Sequence, residues 1–150
     1  MSDRVDLGKS SPAIHQAVVA LETLVSEAVA SANIEKGFSH LLRLRASQLN
    51  QCAYCVRMHT RDALSSAESS DRISVLTAWR ESEYFSKKER SALALIEAIT
   101  LICDGQVADS VYEQAAANLS EQEIIAVEWL SIIINTWNRI AISSRYPVKA

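Results

Sequence analysis

The residues best suited to chemistry lie in one short run, Asn50-Gln51-Cys52-Ala53-Tyr54-Cys55-Val56-Arg57-Met58-His59. Two thiols stand three positions apart, and an imidazole follows four positions after the second. On a helix, at about 100° per residue, Cys52, Cys55 and His59 fall within one arc of roughly 60°. Side-chain roots three apart lie about 5–6 Å from each other. A disulfide needs them near ~4 Å, an adjustment that the first turn of a helix supplies more readily than its middle. A helix start also presents unpaired N–H groups, which favour anions and lower a thiol pKa. A thiolate so placed can attack a peroxide oxygen and become a sulfenic acid, and the second thiol condenses with it to a disulfide. A reduced partner then restores the dithiol by exchange.

The spacing leaves three readings open. The first is the redox dithiol. The second is metal binding: His40, Cys52, Cys55 and His59 together make two Cys and two His, a tetrahedral zinc set. A single straight helix would hold His40 about 18 Å from Cys52. A zinc site, or a proton relay through His40, therefore needs a turn at Asn50-Gln51 that folds two helices into a hairpin. The third is inert packing, since free Cys is among the most buried residue types. Of the other residues, Cys103 is expected in the core beside Leu95, Ile99 and Ile102, and His15, Arg57 and Arg61 on solvated faces. Trp79, Trp129 and Trp137 are expected to fill core or interface. Asn135, Asn138 and Arg139, polar groups on an apolar helix, are expected to be satisfied at a subunit contact or, second, near the dithiol.

The elements that must position the dithiol read as helices. Three Gly and two Pro in 150 residues leave long stretches without a breaker, which suits helices better than many tight turns. Ser11-Pro12 has the form of an N-cap followed by Pro at the first helical position. Behind it Ile14, Val18, Leu21, Val25 and Ala28 recur as one apolar face. A second helix is expected from Ile34 to Leu49, with Phe38, Leu41, Leu42 and Leu49 as its stripe, and a break at Asn50-Gln51. The next runs from Cys52 to Ser65, and a short one from Asp71 to Trp79. Ser86 with Glu89 has capping-box form, opening a helix that runs to Cys103-Asp104 and stops at Gly105. Asp109 or Ser110 is expected to cap the following helix, and Ser120 with Glu123 the last, which ends near Ser143. No segment alternates with period two. The expectation is a single all-α domain over residues 1–150, with six or seven helices and no sheet. The βαβ pattern of a thioredoxin-like motif is missing.

Composition excludes several classes. A net charge of −3 gives no electrostatic case for nucleic acid or an anionic membrane surface. The most apolar window, Ile124 to Ile142, carries Glu128, Asn135, Asn138 and Arg139, so it reads as a buried helix and not a bilayer span. The polar start MSDRVDLGKSSP has no apolar leader core. Three cysteines without such a leader point to catalysis or metal binding in the cytoplasm, not to a disulfide framework.

The run RASQLNQCAYCVRMHTRDA resembles the signature of the AhpD-like, carboxymuconolactone decarboxylase superfamily, in its alkylhydroperoxidase branch with Cys-x-x-Cys-x-x-x-His. The likeness continues through Phe85 to Glu97 and through Ile134-Asn135-Thr136-Trp137-Asn138-Arg139, so that it spans about Phe38 to Arg145. The resemblance implies an all-α fold assembled as a homo-oligomer, a trimer or hexamer, with peroxidase or disulfide reductase activity in antioxidant defence and no cofactor. It implies a peroxide or disulfide substrate and a thiol-based electron donor, such as a peroxiredoxin or a lipoyl-bearing protein. It makes Cys55 the peroxide-attacking thiol, Cys52 the proton donor and resolving thiol, and His59 the relay base. Two positions depart from the family pattern. His40 stands where the family places Glu, and would take its part in the relay. Tyr54 stands between the cysteines where the best-studied members have His. Lactone-acting members usually lack the Cys pair, so decarboxylation is not expected.

Overall fold

The computed structural model describes residues 3–149, and among these the chain is all-α, without a strand. The helices are α1 (Leu7–Ser10), α2 (Pro12–Ser31), α3 (Lys36–Leu49), α4 (Ala53–Ser65), α5 (Ser70–Val75), α6 (Lys87–Thr100), α7 (Asp109–Asn118) and α8 (Glu121–Ser143), with a 3-10 segment at Leu76–Glu81. Eight α-helices exceed the six or seven expected. The polar first turn Leu7–Ser10, capped by the Asp6 side chain, is a helix of its own. The helix expected from Asp71 to Trp79 instead tightens into 3-10 geometry after Val75, with a kink at Ala78.

Helix α3 is the centre of the molecule and packs on α4, α6 and α8. Its Leu41, Leu42 and Leu44 meet Leu93, Leu95 and Ile96 of α6 and Leu130, Ile133 and Ile134 of α8 in one core. Burial of each such side chain contributes about 1.5–3 kcal/mol. The capping boxes at Ser86/Glu89 and Ser120/Glu123 form as the sequence indicates. Glu97 of α6 ties the middle of the fold together. It accepts from Arg45 Nε at 2.6 Å and Trp79 Nε1 at 2.9 Å, and pairs with Arg80 at 2.6 Å. Burial alone would raise this carboxyl, but those hydrogen bonds outweigh it and hold the group below the usual carboxylate range.

Several sequence expectations are corrected here. On α2 only Val25 of the expected face is fully buried, and Ile14 is 70% exposed, because the helix turns Val25 and Val29 to the core. Leu49, expected in the α3 stripe, is half-buried. Helix α6 ends at Thr100, and Leu101–Gly105 form a turn with Asp104 N–H on Leu101 O. Cys103 therefore sits on the surface as a free thiol and not in the core. Ala108 occupies the cap position of α7, and neither Asp109 nor Ser110 makes a capping bond.

Candidate active site

The site is built on the link between α3 and α4. Asn50 caps the C-terminus of α3, and Gln51 takes the left-handed conformation at φ 56°. Cys52 N–H donates to Ser47 O at 3.0 Å and Gln51 N–H to Gln48 O at 3.1 Å, the paired bonds of a Schellman turn. Glycine is the usual occupant of that left-handed position, and a non-glycine residue there costs roughly 1–2 kcal/mol. The turn is braced from α8. Asn50 Nδ2 donates to Asn138 Oδ1 at 2.8 Å and to Asn135 Oδ1 at 2.9 Å, and Asn138 Nδ2 donates to Ser47 Oγ at 3.0 Å. Asn135 and Asn138 thus find partners in Asn50 and Ser47 within the chain, beside the dithiol, the second of the two placements expected, and not at a subunit contact. Arg139 closes the same group by donating to Asn135 Oδ1 at 2.9 Å.

The turn delivers Cys52 as the N-cap of α4, where its sulfur accepts the Cys55 N–H at 3.3 Å. Cys52 and Cys55 are joined as a disulfide with Cα atoms 5.3 Å apart, both 1% exposed. Ala141 of α8, with Tyr54 and Tyr146, packs around them. Tyr54 and Tyr146 meet edge to face at 5.2 Å, and burial, together with Asp6 and Tyr54 nearby, raises the Tyr146 hydroxyl above its ordinary value.

Cys55 is among the residues that line a cavity of about 650 Å³, and Cys52 is not. His59, one helical turn after Cys55, lines the same cavity, as does His40 of α3. The hairpin brings the two imidazoles together, with ring centroids 5.7 Å apart. Asp62 Oδ2 lies 3.8 Å from His59 Nδ1. Burial, then the positive charge of Arg43 and then His40, lowers His59 to about 3, so its imidazole is neutral at physiological pH. Burial also lowers His40, helped by Arg43 and Lys36 against the opposing pull of Asp62. Arg43 itself is held by Glu22 of α2 at 2.7 Å, and Trp137 Nε1 donates to the same carboxylate at 2.9 Å.

All four predicted site residues, Cys52, Cys55, His59 and His40, thus converge on the hairpin. While the sulfurs are bonded to each other, they are not available as ligands for the two-Cys, two-His zinc set. Asp62 is the residue that sequence reasoning missed; its signal was the His59-x-x-Asp62 spacing, which puts both on one helix face. His15, expected to be solvated, packs edge to face on Trp137 at 5.5 Å and lines the cavity. Arg57 donates to Lys149 O at 2.7 Å, and neither it nor Arg61 reaches the cavity.

A helical hairpin that presents Cys-x-x-Cys-x-x-x-His at the head of its second helix, beside a cavity, defines a dithiol protein of the AhpD-like class. The chain belongs to the carboxymuconolactone decarboxylase family, whose model matches residues 12–98. That span takes in α2, which precedes the Phe38 to Arg145 stretch that carries the resemblance, and stops within α6. The chain is similar to the uncharacterized protein YdfG of Bacillus subtilis (strain 168), 34% identical over 143 residues, 95% of each chain. It is also similar to a crystal structure from Agrobacterium tumefaciens, a protein of unknown function described provisionally as an antioxidant defence protein AhpD. That likeness has a TM-score of 0.88 at 37% identity and covers 99% of this chain and 100% of the other.

Proposed function

We propose that this protein is a thiol-dependent peroxidase or disulfide oxidoreductase of antioxidant defence, working through Cys52 and Cys55. The observation that carries the reading is the buried disulfide whose Cys55 half faces a cavity beside His59 and His40. The family, and the antioxidant description of the Agrobacterium structure, support the same class of chemistry.

The two sulfurs have unequal surroundings. Cys55 is the one that a substrate in the cavity reaches. In the oxidative half, its thiolate attacks the distal peroxide oxygen, the O–O bond breaks, and the alkoxide leaves to be protonated as the alcohol. Cys52 then displaces hydroxide from the sulfenic acid; the disulfide forms and, with the Cys52 proton, water departs. In the reductive half, a dithiol donor attacks Cys55 from the cavity. Cys52 leaves as a thiolate, favoured by the Cys55 N–H that its sulfur already accepts. The donor closes to its own disulfide, and two electrons and two protons pass to the pair.

His59 is too weakly basic to store the thiol proton near neutral pH. It conducts instead, accepting at one ring nitrogen as it releases at the other toward Asp62 or His40. A thiolate on Cys55 would itself raise the imidazole, since an opposite charge favours the cation.

Assembly as a homo-oligomer is part of the proposal. Ile125, Trp129 and Ile132 form a stripe on the outer face of α8, each between 44% and 46% exposed, the kind of surface a second copy covers.

Thiol titration of the reduced protein before and after one equivalent of an organic peroxide tests the chemistry. Two thiols should disappear, and mass spectrometry should show Cys52 linked to Cys55. Cys103→Ser should behave like the parent. An unchanged titre, or peroxide consumption undiminished in Cys55→Ser, sinks the proposal.

A further inference from the structure

One donor atom from each of His40, His59 and Asp62 lies within 4.8 Å of the other two. The cluster is not a random surface grouping. His59 is 5% exposed, and the Nδ1 atoms of both His40 and His59 are buried without a hydrogen-bond partner among the described residues. Burying a polar atom without a partner is costly, so two side by side on a cavity wall point to a ligand that they would hold. All three residues line the cavity, which provides an entry path.

We infer that His40, His59 and Asp62 form a binding site for a divalent transition-metal ion of the zinc class, separate from the dithiol. Two imidazoles and a carboxylate are a donor set suited to such ions, with water completing the coordination. Zinc bonds of about 2.0–2.1 Å place tetrahedral ligands roughly 3.4 Å apart. The 3.8 Å between His59 Nδ1 and Asp62 Oδ2 is thus close to the required span. The Asp62 side chain is 45% exposed and can close the remainder by a rotamer change. Arg43 and Lys36 are the cations facing the site. Arg43 is paired with Glu22, and Asp62 opposes the charge of both cations at His40. The two sulfurs contribute nothing while they are bonded to each other. The site therefore does not depend on the peroxidase reading, and a bound ion would occupy the imidazole through which the proposed proton transfer runs.

The test uses the full chain in its disulfide form, carrying Cys103→Ser so that no free thiol competes. Zinc titrated by calorimetry should bind one ion per chain with a dissociation constant on the order of micromolar, and cobalt should give a saturable visible spectrum. His40→Gln and Asp62→Asn should each weaken binding at least about tenfold, while His15→Gln, on the same cavity wall, should not. Asp62 is half exposed, so Asp62→Asn keeps the test decisive even where a histidine variant folds poorly. Absence of saturable binding up to about 0.1 mM zinc, or affinity unchanged by His40→Gln and Asp62→Asn, overturns the inference.

Discussion

Asn138→Ala measures how strongly the α8 brace holds the α3–α4 turn. The side chain is fully buried and makes two bonds, accepting from Asn50 Nδ2 at 2.8 Å and donating to Ser47 Oγ at 3.0 Å. Each is worth about 1 kcal/mol net. Neither partner is orphaned by the change: Asn50 Nδ2 keeps Asn135, and Ser47 Oγ still donates to Arg43 O at 2.8 Å. The void left by the amide, on the order of 30 Å³, adds about 0.7 kcal/mol at ~24 cal/mol per Å³. The expected loss is therefore about 2–3 kcal/mol, read from urea unfolding of the oxidised protein at one fixed concentration. A looser turn also lowers the effective concentration of Cys52 at Cys55. The variant disulfide should then open at a less reducing glutathione ratio than the parent. A stability loss well under ~1 kcal/mol would refute the brace. A full loss with an unmoved thiol–disulfide equilibrium would show that the turn does not position the pair.

Two further predictions concern charge and assembly. His59 should make the metal-free, disulfide-intact protein sensitive to mild acid. Its folded value of about 3 lies below the ordinary 6.5, so the unfolded chain takes up a proton first and stability falls as pH drops below 6.5. From pH 7 to pH 5 this amounts to about 2 kcal/mol that His59→Gln should lack, and an equal loss in both proteins by urea titration would count against the neutral buried imidazole. Staying above pH 5 keeps Glu97 and Glu123 out of the comparison, because their lowered carboxyls release stability only as pH falls through and below 4.5. Trp129→Asp, on the exposed α8 stripe, should lower the assembly mass in light scattering without loss of helical circular dichroism; an unchanged mass would place any interface elsewhere.

The all-α class, the two capping boxes, the break at Asn50-Gln51 and the span of the last helix were legible in the sequence, because each rests on local chemistry. Scarcity of Gly and Pro, a Ser three residues before a Glu, and a polar pair between apolar runs act over a few residues, and the backbone answers to them directly. The dithiol and His59 were legible for the same reason, since three- and four-residue spacings fix relative position within one helix.

What the tertiary structure decided lies between helices. Cys103 moved from expected core to surface because α6 stops one turn early, which the continuing apolar letters Leu101 and Ile102 concealed. Asn135 and Asn138 found their partners on α3, some 85 to 91 positions away in the chain, a pairing that no local pattern encodes. One wall of the cavity forms where Glu22 of α2 joins Arg43 of α3 and Trp137 of α8. Asp62 became part of the site only when the hairpin set His40 against His59. Residue types and spacing determined which groups could react. Which cysteine lines the cavity, and which imidazole nitrogens are left without partners, depended on how helices distant in sequence pack, because desolvation and long-range hydrogen bonds are properties of the assembled core.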